Sequence, residues 1–281
     1  MKKFERGIQK RAFIDALNVL YHNNNSFWYK MVNDKELFIA IRKEYLNVYY
    51  HGQSICKLSY DKSVIGKTHK KYLGVNVGGY FSSSNGVISD KASKIMSLAE
   101  ISLIKENVKK YIGKEKDKSY NEILNFNNNI LDVEATLVKC RIPNPKLKRD
   151  YEVSSIDYVA LEHNENNVYK LVFYEAKHFS NPEIRSRKIP RVFSQINRYK
   201  EALALHKTEI LDSYKLVLNN LNDLSILKTR NIIFSQAIKE KMEIDFEPRL
   251  IVFGVDKDEN KDEHLIKLRN HFNNNLILNS K

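Results

Sequence analysis

The chain is poor in cysteine and has no long apolar segment. Its 281 residues include two cysteines, Cys56 and Cys140, which lie far apart and belong to no Cys-x-x-Cys pair. This usage argues against structural zinc and fits a reduced, cytoplasmic protein. No stretch approaches the ~20 apolar residues that a transmembrane helix needs, and the first residues contain no apolar signal core. We therefore expect a cytoplasmic protein with no membrane partner.

Acidic residues are also in short supply. Asp and Glu number 34 against 47 Lys and Arg, which gives a formal net charge of +13. Residues 141–200 alone carry 12 basic and 7 acidic residues, a net of +5. A basic balance favours a polyanionic partner, because each neutralised phosphate releases counterions. The alternative is a solvated basic surface.

Hydrophobic periodicity divides the chain into two parts. Residues 8–21 have the apolar spacing of an amphipathic helix, and residues 36–60 have the alternation of a small antiparallel meander. The turn-prone segment Ser82–Gly86 marks a boundary. We therefore predict a smaller N-terminal α+β module over residues 1–88 and a second domain over residues 89–281.

The second domain shows the pattern of an α/β core. A long helix is predicted to begin at Asp90, which is a suitable N-cap residue. Three strand-like segments follow. After them we predict a helix from about Arg191 to Leu205, a further helix at Glu209–Leu221, a strand at Arg249–Gly254 and a final helix near Glu263–Phe272.

Two consecutive strand-like segments carry the chemically distinctive residues. Asp157 lies in one of them, and the triplet Glu175-x-Lys177 ends the other in otherwise apolar surroundings. Strand side chains alternate, so Glu175 and Lys177 point to the same face. Charged groups in such a setting are costly to bury unless they are paired or bind a metal.

The polar segment between these strands predicts a hairpin. A turn centred on Glu165 places Asp157 opposite Phe173 and diagonal to Glu175, roughly 7–8 Å away. Two carboxylates at that distance can share a divalent cation. A one-residue slip in register would move Asp157 to the other face.

The next predicted helix adds Gln195 and Tyr199, which are four residues apart and share a helix face. In order, Asp157, Glu175-x-Lys177 and Gln195-x-x-x-Tyr199 resemble the PD-(D/E)xK nuclease superfamily. The resemblance is to the branch that includes the nuclease domain of bacterial recombination exonucleases.

The resemblance covers roughly residues 92–255. It implies a restriction-endonuclease-like core, in which helices flank a mixed central sheet. The chain departs from the family pattern at the first motif, where Ile156 precedes Asp157 in place of proline.

The resemblance also implies a metal site. Asp157 and Glu175 would hold Mg²⁺, for which Mn²⁺ is expected to substitute, with help from the Ala176 carbonyl. The family often adds an acidic residue from the first helix or strand; Glu134 is the preferred candidate here and Glu106 the second. Oxygen ligands favour such hard ions over zinc.

Three further roles follow from the resemblance. Lys177 would orient or activate the attacking water and steady the charge that develops on phosphorus. Gln195 would hydrogen-bond near the metal or the phosphate, and Tyr199 would support the helix–sheet junction. Neighbouring carboxylates keep a lysine charged, which favours Lys177 as a stabiliser rather than a free base.

Basic side chains around the hairpin are candidates for nucleic-acid contacts. They are Lys148, Arg149, His178, Arg185, Arg187, Lys188 and Arg191. The expected partner is DNA, with RNA as the alternative, and a homo-oligomer or a partner protein is a further expectation.

The resemblance thus predicts a Mg²⁺-dependent endodeoxyribonuclease with a role in defence, restriction or repair; exonuclease action stays open. One alternative is a catalytically silent, nuclease-like module for nucleic-acid binding or assembly. Another takes the Asp157, Glu175 and Lys177 set as a structural ion pair at a strand end.

Overall fold

The structure is a computed structural model. It describes residues 3–75, 78–88, 95, 97–112, 129–138, 153–163, 168–186, 188–226, 232–256 and 262–280. These residues form a mixed α/β protein with two sheets, which confirms the predicted α/β class. None of the helices in these ranges is both long and apolar enough to cross a membrane.

The chain divides into two compact units. The hairpin unit comprises Met1–Phe4, Phe126–Asp212 and Lys239–Lys281, and the meander unit comprises Glu5–Asn125 and Ser213–Ile238. The boundary predicted at residue 88 was placed from the sequence pattern, whereas these units group residues by contact. The predicted boundary therefore stays a prediction.

The meander unit contains a five-stranded antiparallel sheet in the order β1-β2-β3-β4-β5. Its strands are β1 (Leu37–Arg42), β2 (Tyr45–Tyr50), β3 (Gln53–Asp61), β4 (Ser63–His69) and β5 (Tyr80–Ser84). The predicted meander over residues 36–60 is thus confirmed, and two more strands extend it.

Short helices accompany this sheet. They are α1 (Arg11–Tyr21), α2 (Phe27–Asn33) and α3 (Ile101–Lys109), with a 3₁₀ turn at Lys70–Leu73. Helix α1 buries Phe13, Ile14 and Leu17 on one face, which confirms the amphipathic pattern.

The long helix predicted from Asp90 is wrong in its extent. Asp90 itself lies outside the described residues, and α3 begins only at Ile101. Ser97 bridges to Val87, and the N–H of Leu98 donates to the carbonyl of Gly86. These bonds hold residues 97 and 98 against the end of the meander, so they cannot join the helix.

The hairpin unit contains a six-stranded mixed sheet in the order β11-β10-β8-β7-β6, with β9 also beside β8. Its strands are β6 (Ile130–Val138), β7 (Val153–His163), β8 (Tyr169–His178), β9 (Met242–Ile244), β10 (Arg249–Val255) and β11 (Leu276–Ser280). Strands β6, β7 and β8 pair antiparallel, whereas β8, β10 and β11 pair parallel. Strand β8 is buried on both faces over residues 171–175, as expected for a strand inside a covered sheet.

The remaining helices are α4 (Arg191–Leu205), α5 (Lys207–Asp223), α6 (Ile232–Ala237) and α7 (Glu263–Phe272). Helix α4 packs on β6, and α7 packs beside β11. The predicted helices at 191–205, 209–221 and 263–272 and the predicted strand at 249–254 are confirmed, whereas β9, β11 and α6 were not predicted. The fold thus sets the Gln-x-x-x-Tyr helix beside the sheet that carries the acidic residues.

Candidate active site

The register of the β7–β8 hairpin decides how its acidic residues meet. Val159 pairs with Phe173, and Tyr158 pairs with Tyr174. Continued by one residue, this register sets Asp157 opposite Glu175. Phe173, the predicted partner of Asp157, is wrong by two residues. The observed register is symmetric about a point one residue later than Glu165. A shift of two preserves the side of the sheet, so both carboxylates still share one face.

A backbone contact joins the two strands at this level. The N–H of Ala176 donates to Asp157 Oδ2 over 2.8 Å. Ala176 therefore presents its N–H to this carboxylate, and its carbonyl is not part of that contact. Within the described residues this is the single hydrogen bond to the Asp157 carboxylate, which leaves Oδ1 without a donor there.

Glu134 lies next to Asp157 on the neighbouring strand β6, as Glu175 does on β8. Strand β6 pairs Val133 with Tyr158 and Ala135 with Ile156, so Glu134 is level with Asp157. Its φ is +51°, in the left-handed region that residues other than glycine uncommonly adopt.

This backbone conformation sets Glu134 apart within its strand. Among the described residues, the other non-glycine residues with positive φ are at turns or helix ends, whereas Glu134 is inside a strand. Strained backbone of this kind concentrates at functional sites. The second candidate, Glu106, is instead exposed on α3 in the meander unit.

Glu175 is the buried centre of the site. Its side chain is 2% exposed. Gln195 Nε2 donates to Oε1 over 2.8 Å, the Tyr199 hydroxyl contacts Oε2 at 2.9 Å, and Lys177 Nζ is 2.7 Å from Oε1. One carboxylate thus connects the strand that carries it with helix α4.

Tyr199 completes this connection. Its hydroxyl accepts from Gln195 Nε2 over 2.7 Å and lies 2.7 Å from the carbonyl of Ser155 on β7. The same oxygen therefore touches α4, β7 and Glu175 on β8. This is the position expected of a residue that supports the helix–sheet junction.

Lys177 is shared between two acids. Its ammonium lies 2.7 Å from Glu175 and 2.8 Å from Glu183 Oε2, in the loop after β8. Sequence reasoning missed Glu183, because a loop residue has no periodicity to fix its direction. Its distance of six residues from Lys177 gave no signal of contact.

The electrostatics of the site follow from crowding and burial. Burial raises the pKa of Asp157 to about 8, and the nearby Glu175 carboxylate adds to the effect. Burial also raises the pKa of Glu175, although Lys177 opposes the shift. For Lys177, burial lowers the pKa, but the attraction of Glu175 outweighs it and the net shift is upward. Lysine stays charged while the two acids resist joint ionisation.

This arrangement fits a divalent cation in one respect and falls short in another. Two adjacent carboxylates that resist joint ionisation would be relieved by a cation between them, and Asp157 Oδ1 is available for it. However, no group of three or more Asp, Glu, His or Cys side chains in the described ranges is arranged to hold a metal by itself. Asp157 and Glu175 thus form a pair of acidic side chains, and Glu134 lies nearby without completing a group of three metal ligands.

The predicted nucleic-acid contacts have varied settings. His178 Nδ1 is 2.7 Å from the Ser180 hydroxyl, and its ring packs edge-on against Phe253. Arg185 pairs with Asp262 at 3.2 Å. Two others, Lys188 and Arg191, are exposed before and at the start of α4, and Lys148, Arg149 and Arg187 lie outside the described residues.

Comparison with protein-family models, with curated proteins and with solved structures finds no match. The chemistry of the site must therefore be argued from its own geometry. That geometry offers a carboxylate pair, a charged lysine and an amide donor on one face of a mixed sheet.

Proposed function

We propose that the chain is a Mg²⁺-dependent nuclease of the PD-(D/E)xK type, built on a restriction-endonuclease-like core. The observation that carries the proposal is the closeness of Asp157 and Glu175, one residue beyond the Tyr158–Tyr174 pair, with Lys177 and Gln195 on the same Glu175 oxygen. The order of these residues along the chain supports it. DNA is the proposed substrate, with RNA as the alternative.

Asp157 and Glu175 would hold Mg²⁺, and Glu134 would reach the ion or its water from β6. When bound, such an ion neutralises charge at the scissile phosphate and lowers the pKa of its bound water. The raised pKa of Asp157 supports this assignment, because a carboxylate that is costly to ionise alone gains most from a cation.

Lys177 would supply a permanent positive charge beside the phosphate. Its bond to Glu183 offers it a second anchor, so Lys177 can turn from Glu175 toward the substrate and stay positioned. Its raised pKa keeps it protonated at neutral pH, so it stabilises charge on phosphorus rather than removing a proton from water.

Gln195 and Tyr199 would fix the direction of Glu175. Gln195 Nε2 bonds to both the Glu175 carboxylate and the Tyr199 hydroxyl. Supporting bonds of this kind orient a metal ligand and tune its affinity. Gln195 would also be within reach of a phosphate oxygen.

The test is a cleavage panel with supercoiled plasmid, linear duplex, single-stranded DNA and RNA, each with Mg²⁺ or with EDTA. We expect cutting that requires Mg²⁺ and is lost in Asp157→Asn. Glu240→Gln is the matched control, because it removes one carboxylate charge at an exposed residue just before β9, which pairs with the other end of β8. Cutting of plasmid circles would indicate an endonuclease, and cutting of linear ends alone an exonuclease.

A catalytically silent module is the second candidate. It is favoured by the Lys177–Glu175 contact, which neutralises a ligand carboxylate as a structural ion pair would. Calorimetric titration with Mg²⁺ separates the two. No cutting and no Mg²⁺ binding favour the silent module, whereas Mg²⁺ binding without cutting indicates that a partner protein or a dimer is needed.

A further inference from the structure

One face of the meander sheet is polar and exposed. Directly paired residues in adjacent strands point to the same side, and the pairings Lys57–Lys67 and Lys67–Ser82 place these three residues in one row. His69 and Tyr80 form the next pair on the same face. We call this side of β2–β5 the open face.

Lysines on the open face lie over aromatic rings. Lys57 Nζ is 3.8 Å from the centre of the Tyr45 ring, and Lys67 Nζ is 5.2 Å from that of Tyr80. Both lysines are exposed, and Tyr80 is 59% exposed. The face therefore offers aromatic surface and positive charge together to the solvent.

Strands β2–β5 contain two lysines, Lys57 and Lys67, and both lie on the open face. Asp61 is the single acidic residue of these strands; it shares the face of Lys57 but lies at the end of β3, paired with Ser63. The hydroxyls of Ser82 and Ser84 are exposed on the same face, where they can donate hydrogen bonds to an anion.

We propose that the open face binds single-stranded nucleic acid. An unpaired base can stack on the exposed ring of Tyr80 while lysines and serines contact the phosphates, which is how sequence-tolerant single-strand sites are built. A duplex keeps its bases stacked inside and would leave Tyr80 unused. The inference does not depend on the nuclease proposal, because the open face belongs to the meander unit.

The test is fluorescence anisotropy of the full chain in EDTA, with labelled 20-nucleotide oligo-dT and oligo-U. These two probes distinguish DNA from RNA as the source of the single strand, and binding of either supports the proposal. We expect Tyr80→Ala to weaken binding about tenfold, whereas Tyr80→Phe, which keeps the ring, binds as the wild type does.

Salt dependence tests the lysines. The double variant Lys57→Ala/Lys67→Ala is expected to lower the slope of log affinity against log salt by about 1.4, since each contact to a single strand contributes about 0.7. The control, Lys35→Ala/Lys241→Ala, makes the same change of charge at residues outside β2–β5 and should keep the wild-type slope.

Several results would overturn the inference. One is equal binding by Tyr80→Ala and the wild type, and another is a salt slope in the Lys57/Lys67 double variant that matches the control. Tighter binding of a duplex, or of anionic vesicles, than of either single strand would also overturn it. If only Lys177→Ala abolished binding, the open face would be excluded while the nuclease proposal stood.

Discussion

Removal of the Tyr199 hydroxyl tests the link between α4 and the acidic strands. Tyr199→Phe keeps the buried ring but deletes an oxygen within 2.9 Å of Gln195, Ser155 and Glu175. A hydrogen bond to a charged group contributes about 1.5–3 kcal/mol and a neutral one about 0.5–1.5 kcal/mol. The single hydroxyl proton serves one acceptor at a time, and buried Glu175 cannot recover its bond from water. We therefore expect a loss of about 2–3 kcal/mol in the free energy of unfolding.

The assay is equilibrium unfolding by urea in EDTA, followed by circular dichroism. Circular dichroism follows helices and strands in both units, whereas Trp28, the one tryptophan of the chain, belongs to the meander unit. Tyr80→Phe is the control, because Tyr80 is 59% exposed and its hydroxyl is open to water. It should change stability by less than about 0.5 kcal/mol. An equally small effect of Tyr199→Phe would refute the reasoning.

Three further predictions concern the acids of the site. The pKa of Asp157 in the folded protein is about 8, above its ordinary 3.8, so its stabilising contribution is present below about pH 4 and is lost as the pH rises to 8. In urea unfolding without metal, the wild type should therefore lose up to ~1.4 kcal/mol of unfolding free energy per pH unit relative to Asp157→Asn. Parallel stability curves for the two proteins would contradict this. Glu134→Gln should weaken Mg²⁺ binding about tenfold in calorimetry, whereas the exposed Glu240→Gln should not. Glu183→Gln should lower the cleavage rate about tenfold at unchanged Mg²⁺ affinity, and an unchanged rate would show that Lys177 needs no second anchor.

The hairpin shows how far periodicity carries a prediction. Alternation along β8 was enough to place Glu175 and Lys177 on one face, because side-chain direction depends only on parity. The exact partner of Asp157 depended on turn geometry, which sequence fixes less firmly. The error of two residues kept the parity, so the predicted meeting of Asp157 and Glu175 survived it.

Contacts between residues that are distant in sequence were harder to predict. The apolar pattern that predicted a helix from Asp90 was right from Ile101 onward, but the bonds of residues 97 and 98 to the end of the meander overrode it. Glu183 shows the same limit, because its contact with Lys177 depends on the path of a loop. The left-handed backbone of Glu134 also has no sequence signal, since glycine is the residue that would mark such a position.

The central claim is that Lys177 and its acidic neighbours hydrolyse phosphodiester bonds with Mg²⁺. The most direct measurement compares initial rates of plasmid nicking in Mg²⁺ for the wild type, Lys177→Ala and Lys241→Ala. We predict that Lys177→Ala is at least about 100-fold slower, while Lys241→Ala stays within about twofold of the wild type. Equal rates for the wild type and Lys177→Ala, or nicking that persists in EDTA, would contradict the claim.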